Sequence, residues 1–227
     1  MEDVLTGYRL LDVPSLRRRG FVGMATWLET CEKLWRERTT EKSKERFPSI
    51  LNRLDYNSLL TSQNPSKRFI LLYGASGTNI ASCVIDRLNI PTFQIDKIEI
   101  KANGFIADVK TWYYETHDEN EAHFLCGILN SNVINELIKP LQTKGLFGER
   151  HIMRRPFMLP IPKFDPNNPV HLRLAELSKV CHEKIAQAKA NFRGRSIANL
   201  RKQAREIIKT ELKEIDKLVS KLLGFES

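Results

Sequence analysis

Cysteine is scarce in this chain, and its four residues lie far apart within apolar patterns. No CxxC or Cys/His pair has the spacing of a zinc site, and the five histidines show no ligand spacing either, so we expect buried, reduced thiols and no metal. No apolar run approaches the roughly 20 residues of a membrane span, and the amino-terminal segment lacks the apolar core of a signal peptide. We therefore expect a cytoplasmic protein without a membrane partner. The cysteines are Cys31, Cys83, Cys126 and Cys181.

Complete nucleotide-binding motifs are also missing. The turn Gly74–Thr78, with the sequence GASGT, follows an apolar run that is typical of a strand. It lacks the Gly-Lys-Ser/Thr ending of a phosphate loop and the full GxGxxG spacing, so we expect no nucleotide and no other cofactor. Small residues allow a close approach, and backbone N–H groups bind anions, which suits contact with a DNA phosphate. Thr78 and Asn79 are therefore candidate DNA-binding residues.

Positive charge is plentiful but unevenly distributed. The formal net charge is +9; residues 1–50 hold 10 Lys and Arg against 8 Asp and Glu, residues 51–139 hold 8 against 10, and residues 140–227 hold 18 against 9. The net charges of the first two segments cancel, so the whole positive excess lies in residues 140–227. A basic half favours an anionic partner, of which nucleic acid is the leading candidate. A solvated helical tail is the alternative.

Hydrophobic periodicity predicts helices at both ends of the chain and strands between them. Asn103-Gly104 separates two β-prone runs, which is a strong hairpin signal, and Asn130-Ser131 is expected to separate two helices and to cap the second. Two strands separated by the small-residue turn are predicted within 68–86, further strands over 93–101 and 105–116, and an edge strand or strand ending in the segment PFMLPIP at 156–162. Helices are predicted over 23–45, 49–60, 132–141, 169–191 and 196–223, and another is expected to follow the acidic residues 118–121 and to end at the Asn130-Ser131 break.

These elements predict an α/β fold of the α+β kind. We expect a small mixed sheet with packed helices over residues 66–168, preceded by a helical lead-in over 1–65. A pair of long helices that forms a hairpin or spacer is expected over 169–227, because the final helix carries apolar residues at alternating spacings of four and three. Its apolar positions are Ile208, Leu212, Ile215, Val219 and Leu222.

A basic loop precedes a proline-rich apolar segment between Gly145 and Asn168. Arg can hydrogen-bond guanine edges in bidentate fashion, and Lys binds phosphates. Aromatic residues beside cations can also stack on bases, which makes Lys110 and Tyr113 of the preceding aromatic run further candidates. A solvated loop and aromatic residues packed in the core are the alternatives. The cationic candidates for DNA contact in the loop are Lys144, Arg150, Arg154 and Arg155.

Two acidic-x-Lys triplets, Glu99 to Lys101 and Asp108 to Lys110, resemble half of a metal-dependent nuclease core. In such a core carboxylates hold Mg²⁺ and a lysine assists the attacking water. Either Asp86 or Asp96 could supply the upstream carboxylate. A short pattern with one free position arises easily by chance in a chain with 28% charged residues. A nuclease is therefore one alternative, and an adaptor that docks on a methylase through its helices is another.

The order of these segments resembles the TaqI-like target-recognition domain of adenine-N6 DNA methyltransferases of restriction-modification systems. It is more distantly similar to the specificity subunits of type I restriction enzymes. The resemblance covers about residues 66–189, and the helix containing ILNS and the LPIP segment before a long helix carry most of it. The matching segments are LYGASGTNIASCVID, KTWYYET, FLCGILNS, VINELIKPLQ and GLFGERHIMRRPFMLPIPKFDPNN.

The resemblance implies an α/β domain that contacts double-stranded DNA through loops and leaves methyl transfer to a separate catalytic domain or subunit. The chain lacks a glycine-rich S-adenosylmethionine loop and an Asn/Asp-Pro-Pro-aromatic motif for a flipped adenine. Its two Asn-Pro pairs, at Asn64 and Asn168, continue with Ser66 and Val170. We therefore expect a non-catalytic, sequence-specific DNA-binding module that acts with a methylase.

Overall fold

The computed structural model describes residues 2–4, 7–90, 92–102, 104–108, 110–145, 148–149, 151–188, 191–193 and 196–225. The chain forms two compact units. One comprises Met1–Pro65 and Ile106–Val109, and the other comprises Ser66–Phe105 and Lys110–Ser227. The protein combines helices with small antiparallel sheets, so the α+β class is confirmed at this coarse level. The finer division into three segments stays a prediction.

Among its described residues, the first unit contains a short antiparallel hairpin, four α-helices and a 3₁₀ turn over Tyr56–Ser58. Asp12 caps the first helix by accepting a hydrogen bond from Ser15 N, and the small core joins Leu16 to the next helix. The predicted helix over 23–45 is wrong in part: it is two helices, because Thr39 and Thr40 adopt extended conformations that interrupt the helical turn. The elements are β1 (Glu2–Val4), β2 (Gly7–Arg9), α1 (Val13–Arg18), α2 (Val22–Arg38), α3 (Glu41–Arg46) and α4 (Ile50–Leu54).

The second unit is built on a three-stranded sheet with the order β4-β3-β7. Both pairings are antiparallel, so the expected mixed sheet is wrong. A short connection allows β3 and β4 to pair only in opposite directions, and β7 returns along the other edge of β3, also in the opposite direction. A separate hairpin, β5–β6, precedes the last strand of the sheet. The strands are β3 (Phe69–Gly74), β4 (Ser82–Asp86), β5 (Phe93–Ile95), β6 (Ile98–Ile100) and β7 (Thr111–Thr116).

The hairpin predicted at Asn103-Gly104 is wrong. The observed hairpin turns at Asp96 and Lys97, where Asp96 has φ +55°, a left-handed conformation that Asp tolerates better than most residues. Residues 104–108 are irregular, and β7 pairs with β3, which gives it a longer partner than β6. Asn103 itself lies outside the described residues.

Five helices pack on and beside the sheet. Asp118 accepts hydrogen bonds from Asn120 N and Glu121 N, and Ser131 accepts one from Ile134 N, so the predicted break and cap at Ser131 are confirmed. The predicted final helix over 196–223 is wrong in part, because it breaks at Ile208 (φ −106°, ψ 22°). The helices are α5 (Glu119–Asn130), α6 (Asn132–Ile138), α7 (Pro169–Ala188), α8 (Ile197–Ile207) and α9 (Lys209–Leu222).

The core of this unit lies where α5 meets α7. A Cβ on Gly127 of α5 would stand 3.1 Å from the carbonyl oxygen of Leu174, so glycine permits the close approach of the two helices. Buried aliphatic and aromatic side chains fill the rest, each contributing about 1.5–3 kcal/mol. Among them are Leu71, Phe124, Ile128, Leu174, Ile215 and Val219.

The predicted edge strand at PFMLPIP is also wrong. Residues Arg155–Met158 form a single 3₁₀ turn, and the chain then runs extended without a strand partner among the described residues. Pro156, Pro160 and Pro162 each lack a backbone N–H, which removes the donors that a ladder needs.

Candidate nucleic-acid interface

The turn that follows β3 is fixed by backbone hydrogen bonds to two other segments. Ala75 N donates to Lys110 O at 2.9 Å, at the start of β7. Ala75 O accepts from Ile152 N at 3.1 Å and from Met153 N at 3.0 Å, in the basic loop. The structure therefore brings together three segments that the sequence marked separately as DNA-contacting: the small-residue turn, the aromatic strand and the basic loop.

Side chains strengthen the link to the basic loop. Tyr73 donates from its hydroxyl to Met153 O at 2.7 Å, and Met153 has φ +42°, an uncommon conformation held by these contacts. The guanidinium carbon of Arg154 lies 5.7 Å from the centre of the Trp112 ring, a cation–π geometry. Arg154 is exposed, so its guanidinium can still reach a ligand.

Arg155, which was expected to contact DNA, also stabilises the backbone of the protein itself. It is half-buried and donates from Nε to Leu141 O at 2.8 Å. This hydrogen bond satisfies a carbonyl at the end of the α6 region, so replacing Arg155 would disturb the backbone as well as the charge. Arg154 is therefore the cleaner residue of the two for testing DNA contact.

The other candidates differ in position. Lys110 is exposed at the start of β7. Tyr113 is half-buried and points to the face of β7 opposite Trp112, because successive strand residues alternate. The backbone of Lys144 forms a two-residue hairpin, Lys144–Gly145 with Gly148–Glu149, but its side chain and the whole of Arg150 lie outside the described residues.

Gln142 fixes the turn after β3 at its C-terminal side, where Gly77 lies. Its side chain is buried and donates from Nε2 to Gly77 O at 3.0 Å, while its Oε1 has no hydrogen-bond partner within the described part of the chain. Gly77 has φ +150°, a conformation that L-residues with a side chain rarely adopt. Thr78 and Asn79, the two residues that follow, are both exposed.

Thr78 and Asn79 line a polar cleft with a volume of about 800 Å³. Residues of α6, α8 and the first turns of α9 also line the cleft. Its described lining residues include six cationic and three acidic side chains, so the cleft carries a positive charge. The cationic residues are Lys139, Arg201, Lys202, Arg205, Lys209 and Lys213, and the acidic ones are Glu136, Glu206 and Asp216.

The cations of this cleft fall into three groups. Arg201 and Arg205 are anchored: Arg201 Nη2 donates to Asn79 O (3.1 Å) and Ile80 O (3.3 Å), and Arg205 Nη2 donates to Asn132 Oδ1 (2.5 Å). Lys139 and Lys209 form ion pairs with acidic residues three positions away. The exposed Lys202 and Lys213 contact no acidic or polar partner in the described ranges, so their ammonium groups can bind an anion.

The cleft residues of α8 were not identified from the sequence. The run NLRKQAREIIK was interpreted as part of a spacer helix, although Arg201 and Arg205 at i, i+4 share one helical face. The missing information was tertiary: only the fold shows that this face packs beside Asn79. The charge excess in residues 140–227 was the signal that pointed in this direction.

The nuclease alternative gains no support from the described geometry. Glu99 lies exposed on β6, in the isolated hairpin. Asp108 belongs to the first unit, whereas Lys110 belongs to the second. Across the described ranges, no three His, Cys, Asp or Glu side chains are grouped so that they could hold a metal ion.

All four cysteines are free, but they are not all buried as expected. Cys126 and Cys181 are buried, Cys31 is half-buried, and Cys83 is exposed because it lies on β4 at the edge of the sheet. Part of the Cys83 side chain still packs inward, and this burial raises the pKa of its thiol to about 11. At neutral pH the Cys83 thiol is therefore protonated.

Comparison with family models, with curated proteins and with solved structures gives no match. Within the described ranges, none of the helices combines the length and the apolar character needed to cross a lipid bilayer.

Proposed function

We propose that this chain is a non-catalytic, sequence-specific DNA-binding module of a restriction-modification methyltransferase system. The observation that carries the proposal is the cationic cleft, which Thr78 and Asn79 line together with the exposed ammonium groups of Lys202 and Lys213. A surface of this charge attracts the phosphate backbone, and it adjoins a loop that presents Arg154.

The two parts of this surface suit different contacts. Lys202 and Lys213 are exposed lysines, which bind phosphates as point charges and carry no sequence information. Arg154 presents a planar fork of donors that can hydrogen-bond the edge of a guanine, and its packing on Trp112 limits the rotamers that it loses on binding. Phosphate contacts in the cleft would thus position the duplex, and Arg154 of the basic loop would hydrogen-bond the base edges that give sequence specificity.

The experiment is a fluorescence titration of the chain with duplex DNA, alone and with a cognate methylase catalytic subunit. Selection from random duplexes first supplies a preferred sequence, and a scrambled duplex of equal length is the control. We expect binding that weakens steeply with salt and that favours the selected duplex by roughly 10³-fold or more. No duplex binding at low salt, in both the free and the complexed chain, would overturn the proposal.

Arg154 can be tested within the same assay. Arg154→Ala should reduce the preference for the selected duplex, with a loss of about 1–3 kcal/mol if the guanidinium hydrogen-bonds a base. Lys33→Ala, which removes an exposed cation of α2 in the first unit, is the matched control. If Arg154→Ala weakens the selected and the scrambled duplex equally, Arg154 binds phosphate and the specificity lies elsewhere.

A further inference from the structure

A second cavity lies beside α8 and shares Arg201 and Arg205 with the cationic cleft. Its volume is about 330 Å³, within the range of sites that enclose small ligands. It is surrounded by the start of β4, by α5 and α7, and by α8 and α9. Most of its surface is apolar, and the aliphatic residues that define it include Ile80, Ile185, Ala204, Ile208, Leu212 and Ile215.

The packing of α8 explains why this space stays unfilled. None of the residues of α8 is buried, although the helix has a clear apolar face that includes Leu200 and Ala204. Arg201 and Arg205 attach it to the rest of the unit by hydrogen bonds, not by close packing. The space is partly open to solvent, and a concave apolar lining of this kind favours an apolar ligand of suitable shape.

The rim of the cavity is cationic. Arg201 and Arg205 line both this cavity and the polar cleft. Each guanidinium uses only Nη2 in its hydrogen bonds, which leaves the N–H donors of Nε and Nη1 without a partner among the described residues. None of the described lining residues is acidic. Uncompensated donors at the mouth of an apolar space match a ligand that is apolar at one end and anionic at the other.

We propose that the cavity binds an anionic amphiphile of small size, such as a medium-chain carboxylate. The apolar chain occupies the space beneath α8, and the anionic group accepts hydrogen bonds from Arg201 and Arg205 at the rim. Displacement of the poorly packed side of α8 is not required, because the volume already exists. The proposal does not rest on DNA binding, although the shared arginines predict that the two ligands compete.

Calorimetric titration of the full chain tests the site with two probes of equal chain length. Octanoate is anionic at pH 7.5, and octanol is its neutral counterpart; both are used below the concentration at which they aggregate. We expect octanoate to bind more tightly than octanol. Arg205→Ala should reduce the preference for octanoate over octanol about tenfold, as loss of a charge-assisted hydrogen bond does, because any loosening of α8 affects both probes alike. Arg205→Lys should keep part of the difference.

Two further variants locate the site. Ala204→Phe places a large side chain in the cavity and should abolish binding of both probes, whereas Lys202→Ala, which removes a cation of the cleft alone, should affect neither. If octanoate does not bind the folded chain, or if it binds no better than octanol and ignores Arg205→Ala, the proposal fails. Unchanged octanoate binding in a folded Ala204→Phe chain would also overturn it.

A measurement on the unmodified chain covers the case in which Ala204→Phe does not fold. Cys83 lines the cavity, and Cys31 lies on α2 of the first unit. Octanoate should slow the reaction of Cys83 with a maleimide reagent and leave the reaction of Cys31 unchanged. Equal rates at Cys83 with and without saturating octanoate would place the amphiphile elsewhere and contradict the proposal.

Discussion

Arg201 Nη2 donates a hydrogen bond to the carbonyl oxygen of Asn79 over 3.1 Å. This contact joins a residue of α8 to the turn after β3 across 122 positions of sequence. It is the reason that a helix expected to be a spacer forms a wall of the cationic cleft. The turn and the helix therefore present one surface to an anionic partner.

Removing this contact should loosen α8. Arg201→Ala deletes hydrogen bonds to two backbone carbonyls, each contributing about 0.5–1.5 kcal/mol. We expect faster amide hydrogen exchange throughout α8 and weaker duplex binding, with little change in α5 and α7. Lys202→Ala removes a neighbouring cation that makes no hydrogen bond or ion pair within the described part of the chain, so it is the control and should leave exchange in α8 unchanged. Equal protection of α8 in both variants would show that Arg201 does not hold the helix.

His123, which is buried, and His182, which is half-buried, should make the protein acid-sensitive. Their rings are 4.9 Å apart, and His182 Nε2 accepts from Val84 N while Nδ1 lies 2.8 Å from Ser178 O, an arrangement that suits neutral imidazoles. Burial lowers the pKa of His123 to about 3 and also lowers that of His182. Below about pH 6.5 these histidines bind protons in the unfolded chain but not in the folded chain. The free energy of unfolding therefore decreases as the pH is lowered.

Urea unfolding at a series of pH values between about 7 and 4 measures this loss. His123→Gln should remove part of the pH dependence, because one of the groups that titrates only in the unfolded state is gone. His117→Gln, at an exposed position, is the control and should follow the unmodified chain. If His123→Gln retains the full decrease in unfolding free energy, the acid sensitivity comes from other groups.

Gly77 should be intolerant of a side chain. Its φ of +150° disfavours any L-residue, and a Cβ would stand 3.4 Å from Asn79 O. We expect Gly77→Ala to destabilise the protein by about 1–3 kcal/mol and to weaken duplex binding through the displaced turn. Gly23→Ala, in helix α2 with no atom within 4 Å of the new Cβ, should be neutral or stabilising by up to about 1 kcal/mol. Thermal unfolding of both variants makes the comparison, and equal melting temperatures would contradict it.

The nuclease alternative predicts a reaction that the proposed function does not. Supercoiled plasmid incubated with the chain and Mg²⁺ should remain uncut, because the triplets that contain Glu99 and Asp108 do not share a sheet. Cleavage that is lost in both Asp108→Ala and Glu99→Ala would replace a binding module with an enzyme. The readout is the fraction of relaxed and linear DNA on an agarose gel.

Local structure could be predicted from the sequence wherever neighbouring residues determine it. Ser131 caps α6, as its position between two apolar helical runs indicates. Pro169 begins α7, because its fixed φ and missing N–H suit a first turn. The apolar spacing of Ile208, Leu212, Ile215 and Val219 correctly marked a buried seam.

The errors occurred where distant contacts decide the outcome. Asn103-Gly104 is a strong turn signal, yet β7 pairs with β3, which offers a six-residue ladder instead of the short β6. The predicted last helix breaks at Ile208, although the apolar pattern continues through this residue. The segment before the break, α8, is hydrogen-bonded to Asn79 through Arg201. The candidate site was incomplete for the same reason: the cations of α8 become part of it only through tertiary packing.

Two pairs of lysines on the C-terminal helices provide the most direct test of the cationic cleft. Lys202 and Lys213 line the cleft, whereas Lys217 and Lys221 are exposed on α9 outside it, so each double alanine variant loses the same charge. The measurement is the slope of the logarithm of duplex affinity against the logarithm of salt concentration. Lys202→Ala with Lys213→Ala should reduce the slope by roughly one per lysine, and Lys217→Ala with Lys221→Ala should leave it nearly unchanged. Equal slopes in the two double variants would show that the cleft does not bind the phosphate backbone.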